Sequence, residues 1–113
     1  MLRQTQFDMT NEEVSTIVAD IRELLQSQKS ILGTETEKAV LHYLNHNEYE
    51  MAFEGLFIDF MELDYWPDGC NIDQWTKTGF RLGLSKESVF KGSFWDDLMR
   101  FNIRHNKAEY CQV

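Results

Sequence analysis

Apolar side chains recur at three- and four-residue steps along most of the chain, the spacing of one helix face. No run of five or more residues alternates as a strand would. In the first periodic stretch Val14, Ile17, Val18, Ile21, Leu24 and Leu25 fall on one face, with Glu12, Glu13, Asp20 and Glu23 off it. Thr10 followed by Glu13 is a capping box: the hydroxyl accepts from an orphan amide and the carboxylate reaches back. The spacing predicts a helix from Asn11 to about Gln28.

Gly33 ends the turn region that follows. Thr34 with Glu37 reads as a second capping box, opening a helix through about His46. Asn47 then reads as a fresh N-cap, with Glu48 and Glu50 in a first turn where negative charge suits the helix dipole. This third helix is predicted to run to about Leu63. Tyr49, Ala52, Phe53, Leu56, Phe57, Phe60 and Leu63 form its apolar stripe; Glu48, Glu50, Glu54, Asp59 and Glu62 are expected on the opposite half. Gly55 sits inside the pattern and lowers helix propensity.

Asp64 to Cys70, DYWPDGC, reads as a loop, because Pro67 and the Asp68–Gly69 pair both favour turns. Asn71 or Asp73 can cap a fourth helix through Trp75 to about Leu82, with Gly83 as its C′ residue. Ser85 can start a short helix through Phe90. Ser93 can cap a last helix carrying Phe94, Trp95, Leu98, Met99 and Phe101, and the tail after about Asn106 is expected to be loosely held. The expected fold is all-α, a compact bundle of about five to six helices forming one domain over residues 1–113.

Composition supports one modest core: the chain has 113 residues, 42% hydrophobic and 13% aromatic. No apolar run approaches the roughly 18–20 residues of a membrane span. The N-terminal MLRQTQFDMT has no secretory apolar stretch, so a cytoplasmic location is expected. Cys70 and Cys111 form no CxxC pair and read as reduced thiols.

Charge changes the picture more than composition does. The net charge is −8, which disfavours nucleic acid and anionic membrane surfaces and favours a basic protein partner. Between Ala39 and Thr76 there is no lysine or arginine, yet there are eight acids: Glu48, Glu50, Glu54, Asp59, Glu62, Asp64, Asp68 and Asp73. From Lys77 onward seven basic residues face four acidic ones. The middle of the chain therefore carries the whole net charge. An acidic face followed by the Tyr65–Trp66 turn suggests a binding surface with aromatic anchors. The alternatives are a plainly solvated face, C-terminal basic residues folding over the acidic helix, and Trp66 plugging the end of the bundle.

Candidate chemistry is thin. His42, His46 and Glu50 have i, i+4, i+8 spacing, but Tyr43 stands where the zinc-binding HExxH signature has glutamate, and Asn45 and Asn47 suggest a helix break before Glu50. The segment from Gly79 to Gly83 lacks the third glycine and the preceding strand of a dinucleotide fingerprint. No nucleophile elbow or P-loop is present, no carboxylate pair stands out, and His105 lies in the expected tail. No catalytic residue, metal site or cofactor is expected, and the chain reads as a binder rather than an enzyme.

The stretch HNEYEMAFEGLFIDFMEL, His46 to Leu63, resembles the central helix of small immunity proteins from bacterial contact-dependent growth inhibition and related polymorphic toxin systems, with Glu48, Ala52 and Glu54 matching. LDYWPDG, Leu63 to Gly69, is similar to the aromatic-aromatic-proline turn with which colicin DNase immunity proteins contact their toxins, with Trp66 in place of the usual second tyrosine. The resemblance implies a stoichiometric inhibitor of a cognate cytoplasm-acting toxin domain, commonly a nuclease and here a ribonuclease first, in a 1:1 heterodimer with no nucleic acid or membrane partner. Glu50, Glu54, Asp59, Glu62, Asp64 and Asp68 would form the acidic surface covering a basic groove, and Tyr65 and Trp66 the anchors. The alternatives are a helical adaptor or regulator unrelated to toxins, and a hydrolase using a carboxylate pair or His42 and His46.

Overall fold

The structure, a computed structural model, describes residues 9–67 and 70–111, from 106 onward as backbone. Among the described residues six helices form a compact all-α globule. They are α1 (Asn11–Ser27), α2 (Lys29–Leu32), α3 (Thr34–Asn45), α4 (Tyr49–Glu62), α5 (Ile72–Arg81) and α6 (Phe94–Cys111). Among the described residues no helix is long and apolar enough to cross a membrane.

The Thr10–Glu13 capping box closes in both directions, Thr10 N–H donating to Glu13 at 2.9 Å and Glu13 N–H to Thr10 Oγ1 at 3.0 Å. Asn71 caps α5 through its side-chain oxygen, which accepts from Gln74 N–H. Three connections share one C-terminal device. Asn47 ends α3, Asp64 ends α4 and Gly83 follows α5, all at positive φ (59°, 52° and 83°). In each case the next residue's N–H reaches back across the turn: Glu48 to Tyr43 O, Tyr65 to Phe60 O, and Leu84 to Gly79 O. These are Schellman closures, which satisfy orphan carbonyls and turn the chain sharply.

That geometry corrects several expectations. Asn47 is a helix terminator, not an N-cap; α4 starts two residues later, after Glu48, and the Asn47 side chain accepts from Tyr49 Oη–H instead. Thr34 does not cap α3, because Gly33 at φ 92° already occupies the cap and Glu37 N–H bonds the Gly33 carbonyl. The one-turn α2 was not anticipated. No helix forms between Ser85 and Phe90; that segment is an open strap, for a reason that lies in α4. The last helix continues past Asn106 to Cys111.

The core is centred on α4, which packs against α1, α3 and α6. Ala52, Phe53, Leu56, Phe57 and Phe60 are buried against Ile21, Leu24 and Leu25 of α1, Val40 and Leu44 of α3, and Phe94, Leu98 and Phe101 of α6. Phe53 stacks on Phe57 at 4.6 Å between centroids, and Phe60 meets Phe57 edge-on at 5.5 Å. Each such side chain contributes roughly 1.5–3 kcal/mol by leaving water. α5 approaches this aromatic cluster at Gly79, where an added Cβ would stand 2.8 Å from Trp95 and 3.1 Å from Phe53.

Candidate functional site

The acids expected on the outer half of α4 do not form one surface. Glu50 and Glu54 are buried, 3% and 0% exposed, among the apolar residues of the same helix. Both are withdrawn as surface contacts. The Glu54 carboxylate accepts three consecutive backbone N–H groups, from Val89 at 2.7 Å and from Phe90 and Lys91 at 2.9 Å. Three amides converging on one anion form a backbone nest, here filled from within the chain. Those N–H groups are thereby turned away from helical partners, and the strap between Ser85 and Ser93 stays open.

The other expected contacts are partly engaged. Asp59 is half-buried and accepts from Thr36 Oγ1–H. Asp64 is exposed but ion-paired with Arg104, and His105 Nε2 lies 3.6 Å from it. Glu62 is exposed beside a groove between α4 and α6 that also carries Lys91, Arg100 and Arg104. The C-terminal basic residues do fold over this part of the acidic segment. Tyr65 and Trp66 are half-buried: Tyr65 Oη–H donates to Gln28 and its ring meets Phe60, while Trp66 Nε1–H donates to the Cys70 carbonyl and its ring packs on Phe57 and Phe101. Asp68 lies outside the described residues.

A different acidic feature is present. Asp20, Glu23, Leu24 and Ser27 make one i, i+3, i+4, i+7 stripe of α1, and Asn71, Gln74, Trp75 and Thr78 make the same stripe at the start of α5. The two stripes face each other across an open cleft of about 340 Å³ with Gln28 and Cys70 at one end. Among the described residues no lysine or arginine lines it. Asp20 is held above the ordinary aspartate range, first by partial burial and then by repulsion from Glu23. Cys70 is also raised, chiefly by burial, against a hydrogen bond from Trp75. By contrast, Glu13 is lowered by the Thr10 amide and by its 2.9 Å ion pair with Arg81, and Asp97 by Ser93, Arg100 and Lys91.

Sequence reasoning placed Asp20 and Glu23 off the apolar face of the first helix but gave them no role. Their spacing was visible. Their partner stripe, about fifty residues further on, was not.

The histidine pair forms no metal centre with Glu50. The His42 and His46 rings lie tilted with centroids 4.3 Å apart and His46 Nδ1 bonds the His42 carbonyl, whereas Glu50 is buried in the next helix. Among the described residues no group of three His, Cys, Asp or Glu side chains is placed to hold a metal ion. No family model, curated protein or solved structure matches the chain, so the reading rests on the chemistry of the cleft and on the sequence resemblance.

Proposed function

We propose that this chain is an immunity-type inhibitor that binds a basic toxin domain acting in the cytoplasm, a nuclease and foremost a ribonuclease, as a 1:1 heterodimer. It neutralises the toxin by covering basic surface, with no catalysis of its own. The observation that carries the reading is the cleft between α1 and α5, which has no lysine or arginine among its described lining residues and has Asp20 and Glu23 on one wall and Trp75 on the other. The acids Glu13, Asp64 and Asp97 are already matched by basic side chains, and Glu54 by amides. Asp20 and Glu23 instead repel each other, a cost that a basic partner would relieve. Tyr65 and Trp66 flank the same cleft through Gln28 and the Cys70 carbonyl and extend the contact surface. The resemblance of His46–Leu63 to toxin immunity proteins supports this class of partner.

The test is coexpression with the toxin domain encoded beside the gene. Growth protection and a 1:1 complex are expected, and D20K/E23K should lose both while keeping its helical spectrum. Stoichiometric recovery from the native host of a partner unrelated to toxins would replace this reading with the adaptor.

A further inference from the structure

The cleft has a chemistry more specific than negative charge. We infer that it receives a single arginine side chain from the partner, with the guanidinium held between the Asp20 and Glu23 carboxylates and the Trp75 ring. This inference rests on the proposed binding of a basic protein and names which side chain enters the site.

Size is the first constraint. About 340 Å³ lies at the small end of ligand pockets and leaves room for one long side chain. The walls are the second. Asp20 and Glu23 are three residues apart on α1, so their side chains are surface neighbours roughly 5–6 Å apart at Cβ. A planar guanidinium can offer one edge to each carboxylate, whereas an ammonium is a point charge that satisfies one at a time. The opposite wall is the half-buried Trp75, whose ring is fixed from behind by Phe53 and Phe57 at 6.1 and 5.5 Å. A held indole face is the best aromatic surface for a stacked guanidinium. Gln74, beside it on the cleft wall, brings a further side-chain carbonyl for the remaining N–H groups. The third constraint is the ordering of the lining itself. The Asn71 side-chain oxygen is engaged as the α5 cap and the Gln28 oxygen accepts from Tyr65, so the rim is fixed before any partner arrives.

The experiment uses the full chain and two small probes, Nα-acetylarginine amide and the matching lysine amide, followed by backbone and indole NMR shifts. Expected is a saturable arginine response confined to residues 20–28 and 70–78 and the Trp75 indole. The lysine probe should bind about threefold more weakly. D20N/E23Q, with its fold checked by circular dichroism, should weaken the arginine response roughly fivefold or more. W75F should lower it less, since a ring remains. Equal responses to both probes, shifts spread evenly over Glu12, Glu35 and Glu62, or an unchanged response in D20N/E23Q would overturn the inference. A clean arginine response in a chain that protects against no toxin would sink the immunity reading and leave the site standing.

Discussion

Glu54 carries a charge into a position with no solvent exposure and meets three backbone N–H groups there. Hydrogen bonds to a charged group are worth about 1.5–3 kcal/mol each, and a buried donor left without its acceptor costs a similar amount. Glu54→Ala should therefore lower unfolding stability by about 3 kcal/mol or more, and Glu54→Gln by about 2 kcal/mol, read from urea midpoints. A loss below roughly 0.5 kcal/mol would be the mark of a surface residue and would refute this role. Asp20 is expected to behave in the opposite way. Its carboxyl is held above the ordinary range by burial and by Glu23, so the folded chain binds that proton more tightly than the unfolded chain. The wild type therefore loses stability as pH rises from the ordinary aspartate range through the raised value. Asp20→Asn should match the wild type near about pH 3 and exceed it by a few tenths of a kcal/mol near about pH 7. The same substitution should weaken partner binding. A residue that harms the free protein and helps the complex has a functional signature; D20N that destabilises at neutral pH would remove it.

Two helical glycines test how closely the elements pack. Gly55 in α4 has ordinary van der Waals room, with Phe90 and Tyr43 at 3.8 and 3.9 Å from an added Cβ. Gly79 in α5 does not, since its Cβ would meet the half-buried Trp95 at 2.8 Å and the buried Phe53 at 3.1 Å. Alanine gains up to about 1 kcal/mol over glycine in a helix interior. Gly55→Ala should therefore raise the melting temperature. Gly79→Ala should lower stability by about 1–3 kcal/mol, because overpacking outweighs propensity. Equal shifts of the same sign would mean that α5 does not touch the core as described. These elements also show what was legible in the sequence. The all-α class, the Thr10–Glu13 box and the Asn71 cap were readable because the interacting groups lie within a few residues. Asn47 was misread, since asparagine suits an N-cap or a left-handed C′ position and only the back-reaching Glu48 N–H decides. The strap was not legible either. Ser85 to Phe90 has helix-compatible residues, and what holds it open is a carboxylate some 35 positions earlier in the chain. Glu54 itself looked like part of a solvated acidic face, because periodicity records polarity but not a buried partner.

At the scale of the whole molecule the charge is segregated differently in space than along the chain. The lysine- and arginine-free stretch from Ala39 to Thr76 is folded against α6 and the strap, where Arg104 pairs with Asp64 and the strap amides bind Glu54. The cleft whose described lining holds no lysine or arginine lies between α1 and α5, which belong to different parts of the sequence. A net charge of −8 raises encounter rates with any basic partner. A cleft focuses that field only if the charges sit in it, and this distinction can be measured. D20K/E23K and E35K/E62K change the net charge equally. If steering depends on total charge, both should slow association alike. If the cleft directs docking, D20K/E23K should slow association about tenfold at low salt, and E35K/E62K about threefold or less. The gap should narrow as salt shortens the screening length toward about 8 Å at physiological strength. Dissociation separates the two pairs further. Charges desolvated in the complex govern how long it lasts, whereas rim charges govern mainly how fast it forms. D20K/E23K should therefore also speed dissociation, and E35K/E62K should leave it nearly unchanged. Identical effects on both rates would move the partner's landing site off the α1–α5 cleft.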